Sequence, residues 1–209
     1  ILNKESIHIT AIDIDRDNIS YLQKTFDGPA EYDFVQDDIL SSNFAFLDSN
    51  DHRIVGNLPY NISTQIILKL INYFNQIKDM HFLIQREVAE KITGSPGSKD
   101  WGKLGIKLSA FFQTEILFDV PPEAFDIKPK VTSSFIRMSP LTKSLVTDDE
   151  LKNFFEIVDL SFMSRRKNIK NNLKSMKLDW ESLQIDNQLR PEDLSLESYL
   201  KIAREIAKI

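Results

Sequence analysis

The chain has 209 residues, a formal net charge of −5 and 42% hydrophobic residues, which is typical of an ordinary globular protein with one medium domain and a small second one. It has no cysteine, which excludes disulfides, zinc–thiolate sites and thiol nucleophiles. Its histidines, His8, His52 and His81, lack the spacing of metal ligands, so we expect no metal site. No apolar run approaches the roughly 20 residues of a membrane span, and no signal peptide opens the chain. We therefore expect a cytoplasmic protein without membrane association.

Short β-branched segments alternate with amphipathic ones over the first 140 residues. The predicted elements are strands at Ser6–Ile12, Tyr32–Val35, Arg53–Val55 and Met80–Ile84, with helices at Asn18–Thr25 and Ser63–Tyr73 between them. This alternation favours a parallel sheet covered on both faces, and therefore an α/β fold. Two further strands, Thr114–Val120 and Ser133–Met138, flank a proline-rich loop and should form an antiparallel pair at a sheet edge.

After Pro140 the composition shifts to helix formers. The pattern predicts helices at Asp148–Ser161, Arg165–Lys174 and Leu196–Ile209, the last capped by Ser195. We place one domain at residues 1–141 and a helical C-terminal domain at residues 147–209.

The motif Asn57-Leu58-Pro59-Tyr60 directly follows the predicted strand Arg53–Val55. The amine of an adenine is a poor nucleophile because its lone pair is delocalised into the ring. A side-chain amide oxygen and a backbone carbonyl that accept both N–H bonds draw this lone pair out of conjugation. Asn57 supplies the amide, the carbonyl of Leu58 or Pro59 is the second acceptor, and Tyr60 can stack on the base. The alternative is a plain Asn-Pro turn, but the position after a strand favours a ligand site.

Acidic residues follow two other predicted strands. Asp13 comes after the first strand, where doubly wound nucleotide-binding folds place an acid on ribose hydroxyls. Asp38 comes after the second, where its carboxylate could accept a hydrogen bond from the amine of a cofactor's adenine. The predicted cofactor-binding residues are Asp13, Ile14, Asp38, Ile39 and Asn57. The alternative for an acid at a strand end such as Asp13 is that it only caps the next helix, a role for which Asp15 and Asp17 compete.

Phe125 lies in the proline-rich loop between the last two predicted strands. An exposed aromatic side chain on a stiff loop can stack on a base extruded from RNA. Packing of Phe125 on the protein core is the alternative.

Residues 164–178 contain only basic charges, in a chain that is acidic overall. The basic residues are Arg165, Arg166, Lys167, Lys170, Lys174 and Lys177. On a helix, Arg166, Lys170 and Lys174 would share one face while Ile169 and Leu173 face inward. Contact with RNA phosphates is the functional interpretation, and a solvated helix face is the alternative.

Together these motifs make the chain resemble the ribosomal RNA adenine dimethyltransferases, and among them the bacterial small-subunit type, the KsgA/RsmA family. The resemblance rests on Ala11–Asp17, Gln36–Asp38, Val55–Ser63, Gln85–Ala89, Pro96–Lys99, Val120–Phe125, Pro129–Ser133, Arg165–Lys167 and Arg190–Leu194. It implies a Rossmann-like class I methyltransferase sheet with an antiparallel closing hairpin, followed by a small all-α C-terminal domain that binds RNA.

The resemblance also implies a reaction: S-adenosylmethionine-dependent dimethylation of the N6 amines of two adjacent adenines near the 3′ end of small-subunit (16S-type) ribosomal RNA, on a maturing subunit. Asp13 would hold the cofactor's ribose and Asp38 its adenine, while Asn57–Tyr60 hold the target amine and Phe125 stacks on the base. The implied RNA contacts are Arg165, Arg166, Lys167, Lys170, Lys174, Lys99, Lys103 and Lys130. We expect a monomer.

The sequence departs from the family's pattern in three places. Asp13 stands where glutamate is usual, and Ile127 replaces the first proline of the Phe-x-Pro-x-Pro loop. The glycine-rich loop that would line the methionine side of the cofactor is absent from the sequence. We therefore expect this chain by itself to be inactive.

Three other functions compete with this interpretation. Large-subunit adenine methyltransferases of the macrolide-resistance type share the Asn-x-Pro-Tyr logic, but Arg190–Leu194 and Arg165–Lys167 favour the small-subunit type. A non-catalytic RNA-binding assembly or transcription factor on the same fold would not need Asp13, Asp38 and Asn57–Tyr60 together. A DNA adenine methyltransferase is disfavoured because nothing resembles a base-reading domain.

Overall fold

The computed structural model of the protein describes residues 8–26, 31–49 and 51–207. These residues form two compact units, and the first of them ends at Ser49. The predicted domain boundary at residues 141–147 falls inside the second unit, and a separate helical domain stays a prediction. Over the residues described, no helix is both long enough and apolar enough to cross a bilayer.

The first unit is a β–α–β arrangement. Strand β1 (His8–Asp13) lies parallel to β2 (Glu31–Gln36), and helix α1 (Arg16–Thr25) connects them. The helix begins at Asp15, whose carboxylate accepts a hydrogen bond of 2.8 Å from the backbone N–H of Asp17. The predicted strands and helix of this region are confirmed, except that Ser6 and Ile7 lie outside the described residues.

The second unit contains a four-stranded sheet. Its strands are β3 (His52–Asn57), β4 (Ile77–Gln85), β5 (Phe112–Val120) and β6 (Ser133–Pro140), in the order β3-β4-β6-β5. Strands β3 and β4 are parallel, whereas β6 runs antiparallel to both β4 and β5. The predicted antiparallel pair is therefore confirmed, with β5 at the edge and β6 inside the sheet.

The core of this sheet follows the two-residue period of its strands. In β4, Met80, Phe82 and Ile84 are fully or almost fully buried, and in β6 Ile136 and Met138 are fully buried. Alternate residues point to one face of a sheet, so these side chains form one continuous apolar layer.

The connecting helices of the second unit are short. Helix α2 (Ser63–Lys69) continues as a 3₁₀ turn over Leu70–Gln76, where the sequence predicts one helix to Tyr73. Helices α3 (Arg86–Thr93) and α4 (Lys103–Ser109) were not predicted. Both span eight residues or fewer and are separated by a segment rich in glycine, which leaves little helical periodicity to detect.

Four helices follow the sheet: α5 (Asp148–Ser161), α6 (Ile169–Asn172), α7 (Trp180–Leu183) and α8 (Leu196–Ile206). Helix α5 has the predicted bounds, and the Glu150 carboxylate accepts a hydrogen bond of 3.0 Å from the Thr147 backbone N–H in a capping box. The predicted cap of α8 is confirmed, because the Ser195 hydroxyl accepts a hydrogen bond from the backbone N–H of Ser198.

The prediction of one continuous helix over Arg165–Lys174 is wrong. Helix α6 begins only at Asn168, whose side chain accepts a hydrogen bond of 3.0 Å from the Asn171 backbone N–H. The side-chain amide of Asn172 donates to the backbone carbonyls of Ser164 and Lys167, and this holds the preceding segment in a turn. Asparagine side chains compete with helical backbone bonding in this way.

Candidate active site and RNA-binding surface

The Asn57–Tyr60 motif lies at the carboxyl end of β3. The Leu58 backbone N–H donates a hydrogen bond of 3.1 Å to the Leu83 carbonyl of β4, so the motif continues the sheet by one residue. The Leu58 side chain is buried, and a Cβ at Gly56 would lie only 2.9 Å from its Cδ2 atom. Glycine at position 56 therefore lets Leu58 fold back against the strand that precedes it.

The turn after β3 uses one of the two carbonyls that the sequence left open and leaves the other unbonded. The Pro59 carbonyl accepts a hydrogen bond of 3.1 Å from the Ile62 backbone N–H. The Leu58 carbonyl and the Asn57 side-chain amide, in contrast, have no hydrogen-bond partner among the described residues. Asn57 and Leu58 thus present two unused acceptors at one end of β3.

Tyr60 is held by a contact from a distant part of the chain. Its hydroxyl is hydrogen bonded to the hydroxyl of Ser133, the first residue of β6, at 2.5 Å. Ser133 is fully buried, whereas Tyr60 is half-buried. The bond therefore fixes the direction of the Tyr60 ring. Sequence reasoning gave Ser133 no role, although it ends Pro129–Ser133, one of the segments on which the family resemblance rests.

A cavity of about 270 Å³ joins the motif to the proline-rich loop. Its lining residues are Asn57, Leu58, Pro59, Tyr60, Phe125, Ile127 and Pro129. Phe125 is half-buried and borders the cavity, so its ring is available to a bound group. The volume lies near the lower limit of about 300 Å³ for ligand sites, which suits one planar base better than a large ligand. The structure thus brings all five predicted catalytic residues together.

The acids predicted to bind the cofactor meet in the first unit. The backbone N–H of Asp37 donates a hydrogen bond of 3.1 Å to the Asp13 carbonyl, which joins the carboxyl ends of β1 and β2. The Asp13 carboxylate accepts hydrogen bonds from the Asp15 backbone N–H and the Asn18 side chain, both at 2.9 Å. These bonds, that from Asp15 foremost, lower the pKa of the Asp13 carboxyl.

The surroundings of these acids fit a nucleoside. Each Asp13 oxygen keeps a further lone pair for a hydroxyl donor. One oxygen of Asp38 accepts from the Leu40 backbone N–H at 2.9 Å, and the side chain is exposed. Ile14 exposes 69% of its surface beside Asp13, a large apolar surface that an adenine ring could cover. Ile39 follows Asp38 directly and is half-buried.

All six basic residues of the basic segment are solvent-exposed. The exposed residues are Arg165, Arg166, Lys167, Lys170, Lys174 and Lys177. None of them forms an ion pair within the part of the chain that the structure describes. Ile169 and Leu173 are buried, as predicted, so they anchor the segment. Lone exposed cations on an anchored segment suit contact with phosphates.

The other predicted RNA contacts have different surroundings. A Cβ at Gly102 would lie 3.7 Å from an Arg165 guanidinium nitrogen, which places Arg165 beside the residue that precedes Lys103. Lys103 itself lies 3.4 Å from the Asp159 carboxylate, and Lys99 is exposed in the same loop. Lys130 is exposed and follows Pro129 of the cavity.

The segment Arg190–Leu194 has a structural role that the sequence did not reveal. Three of its carbonyls accept hydrogen bonds from outside the segment: that of Pro191 from the Tyr199 hydroxyl at 2.7 Å, that of Leu194 from the Trp101 ring at 2.8 Å, and that of Glu192 from the Gly97 backbone N–H at 2.8 Å. The segment thereby ties α8 to the loop between α3 and α4.

The fold and the site together define a class I methyltransferase that uses S-adenosylmethionine. Strand β6 is inserted antiparallel between β4 and β5, and the carboxyl end of β3 carries two unused acceptors, the Asn57 amide oxygen and the Leu58 carbonyl. A model of the family described as "Ribosomal RNA adenine dimethylase" matches residues 1–208, and the chain belongs to this family. This membership confirms the predicted fold class, the enzyme class and the methyl donor.

Relatives and solved structures agree with this assignment. The chain is 38% identical over 208 residues to "Ribosomal RNA small subunit methyltransferase A" of Neisseria gonorrhoeae (strain NCCP11945), covering 99% of this chain and 80% of the relative. A protein of the same name from Legionella pneumophila (strain Corby) is 38% identical over 201 residues, or 95% and 78% of the two chains.

Two solved structures share the fold at lower identity. A dimethyladenosine transferase from Plasmodium falciparum superposes with a TM-score of 0.81 at 21% identity, covering 95% of this chain and 82% of that one. The 23S rRNA methyltransferase ErmE gives a TM-score of 0.71 at 20% identity, with coverage of 94% and 81%.

Proposed function

We propose that the protein dimethylates the N6 amines of two adjacent adenines near the 3′ end of small-subunit ribosomal RNA, acting as a monomer on a maturing subunit. The observation that carries this proposal is the cavity in which two unused acceptors, of Asn57 and Leu58, lie beside the rings of Tyr60 and Phe125. Relatives matched over nearly the whole chain are named for the small subunit, and this favours it over the large subunit as substrate.

The two acceptors explain how a weak nucleophile reacts. The Asn57 amide oxygen and the Leu58 carbonyl accept the two N–H bonds of the adenine amine, which turns the nitrogen lone pair out of conjugation. Both hydrogen bonds strengthen as positive charge develops on the nitrogen, so they stabilise the transition state more than the ground state. Tyr60 and Phe125 stack on the base and keep its amine at these acceptors.

The proton of the amine leaves to solvent after the nitrogen has attacked the methyl group. The described residues that line the cavity include no carboxylate and no imidazole, so this lining offers no strong general base. S-adenosylmethionine, when bound, supplies an electrophilic methyl group. Asp13 would accept hydrogen bonds from its ribose hydroxyls and Asp38 one from its adenine amine, with Ile14 against the adenine ring.

Methyl transfer to unmethylated small ribosomal subunits tests the reaction. The full-length protein with labelled S-adenosylmethionine should produce dimethyladenine near the 3′ end of the RNA. Asn57→Ala should lower kcat by about 100-fold or more, the scale of losing one preorganised partner of the transition state, with RNA affinity nearly unchanged. Asn75→Ala removes an exposed amide before the amino end of β4 and is the matched control. Full turnover in Asn57→Ala would remove the basis of the proposal.

The salt dependence of binding tests the RNA surface. Replacing Arg165 and Arg166 by glutamate should weaken binding to small subunits. It should also reduce the slope of log affinity against log salt by about one for each phosphate that the protein no longer neutralises. The variant Lys143→Glu/Lys152→Glu carries the same change of charge at exposed positions outside the basic segment. An equal change of slope in the two variants would mean that only net charge matters.

A further inference from the structure

A second cavity, of about 460 Å³, has no part in the reaction described above. Its lining residues are Gln85, Arg86, Glu87, Glu90, Pro122, Lys130, Val131 and Thr132. They come from the end of β4, the first turns of α3 and the two ends of the proline-rich loop. The volume lies within the range of about 300–1,000 Å³ that is usual for ligand sites.

The two cavities are neighbours along the same segments. Pro129 lines the first cavity and Lys130 the second. Thr132 lines the second cavity, and the next residue, Ser133, is hydrogen bonded to Tyr60 of the first. On the sheet, Asn57 pairs with Leu83, and Gln85 lies two residues further along the adjacent strand. Strand spacing and rise place the Cα atoms of Asn57 and Gln85 about 8 Å apart, a distance that one nucleotide step of a stretched strand can span.

The charges of the second cavity cancel. Arg86 and Lys130 contribute two cations, and Glu87 and Glu90 contribute two carboxylates. The Arg86 guanidinium is held by Glu90 at 2.9 Å and by Asp119 at 3.3 Å. These carboxylates would repel a phosphate, whereas they would not repel an uncharged heterocycle. The lining therefore favours a base over a phosphate.

The remaining groups suit a flat heterocycle with polar edges. Pro122 and Val131 offer apolar surface, and the pinned guanidinium of Arg86 offers a planar face for stacking. The Gln85 side-chain amide has no hydrogen-bond partner among the described residues, and a glutamine amide can pair with both polar atoms on one edge of an adenine. The Arg86 backbone N–H donates to the Thr132 carbonyl at 3.0 Å and joins the two walls.

We propose that this second cavity receives the base of the nucleotide next to the extruded target adenine. The inference rests on the proposed function and extends it. The two target adenines are adjacent, so each of them has the other as its neighbour on one side. For at least one of the two targets, the base in the second cavity is therefore the other adenine. Gln85 is then a specificity-determining residue that reads the neighbour and keeps the target nucleotide in register with Asn57.

Paired changes of protein and RNA test this proposal. Small subunits are reconstituted with RNA that carries an abasic nucleotide on the 5′ or the 3′ side of one target adenine, and kcat and KM are measured on that adenine. For the wild-type protein, loss of the neighbouring base on one side should raise KM by about 5- to 160-fold, the range expected for one stacked base. Gln85→Ala should raise KM on intact RNA and respond less to the abasic site.

The outcome separates this inference from the proposed function. If the abasic site raises KM by the same factor in Gln85→Ala as in the wild type, the second cavity does not bind the neighbouring base, and the proposed reaction is unaffected. No transfer by the wild type to intact subunits would overturn both. Gln113→Ala removes an exposed amide from the edge strand β5 and should behave like the wild type in every arm.

Discussion

Replacing Ser133 by alanine tests how Tyr60 is held in the cavity. The substitution removes the hydroxyl partner of the Tyr60 hydroxyl and leaves that half-buried group without its hydrogen bond. A neutral hydrogen bond contributes about 0.5–1.5 kcal/mol. If all of it acts in the transition state, kcat/KM for methyl transfer should fall by about 2- to 13-fold.

The matching substitution Tyr60→Phe breaks the same bond from the other side and keeps the stacking ring. The two single variants and the double variant form a cycle that isolates the interaction. Because the same bond is missing in all three, the double variant should be no slower than the slower single variant. The assay is the initial rate on unmethylated small subunits, with the melting temperature recorded for each variant.

Ser134→Ala is the control for a general packing effect. Ser134 is also fully buried, but its hydroxyl donates to the Asp119 carboxylate at 2.6 Å, whereas the Tyr60 hydroxyl is bonded to Ser133. It should lower the melting temperature without any coupling to Tyr60→Phe. If the rate losses of Ser133→Ala and Tyr60→Phe multiply in the double variant, the hydrogen bond does not position the ring and our reasoning is wrong.

The helical part contains two polar interactions whose removal should change stability. The Lys107 ammonium is almost fully buried, 2.8 Å from the half-exposed Asp159 carboxylate, so Asp159→Asn should lower the free energy of unfolding by about 3 kcal/mol. Lys107→Met should lower the free energy of unfolding clearly less than Asp159→Asn in the same urea titration, because it leaves no buried charge. Equal losses of stability in the two variants would contradict this reasoning. The backbone N–H of Thr147 donates a hydrogen bond to the Glu150 carboxylate and lowers the pKa of that carboxyl, and the Arg204 guanidinium lowers it further. The Glu150 carboxylate therefore stabilises the fold above the pKa that this group has in the unfolded chain. This stabilisation is lost as the pH falls through the lower pKa of the folded protein. Glu150→Gln should lower the melting temperature at neutral pH and flatten its fall towards acid pH; an unchanged pH profile would contradict the capping role.

Local chemistry let the sequence predict much of the fold and the chemical groups of the site. The alternation of apolar residues gives β4 and β6 their buried faces, and side-chain oxygens of Asp15 and Ser195 cap their helices within three residues of sequence. The Asn57–Tyr60 motif could be singled out because its order of residues, directly after a strand, matches what the proposed binding of an amine requires. These features depend on neighbours in the chain.

The basic segment shows where such local reasoning fails. The spacing of Arg166, Lys170 and Lys174 favours a helix, and the inward positions of Ile169 and Leu173 follow from the same period. The helix nevertheless starts only after Asn168, because asparagine side chains bond the backbone on both sides of the turn. The charge of the segment was predictable, but the path of its backbone was not.

Only the tertiary structure decided how the site is assembled. The Leu58 carbonyl is left without a partner because the turn bonds the carbonyl of Pro59 instead. The direction of Tyr60 depends on Ser133, 73 residues away in the chain. The second cavity combines the end of β4 with a loop that follows it by more than thirty residues. A sequence specifies which donors and acceptors exist, whereas their free or occupied state depends on which distant groups the folded chain brings within hydrogen-bonding distance.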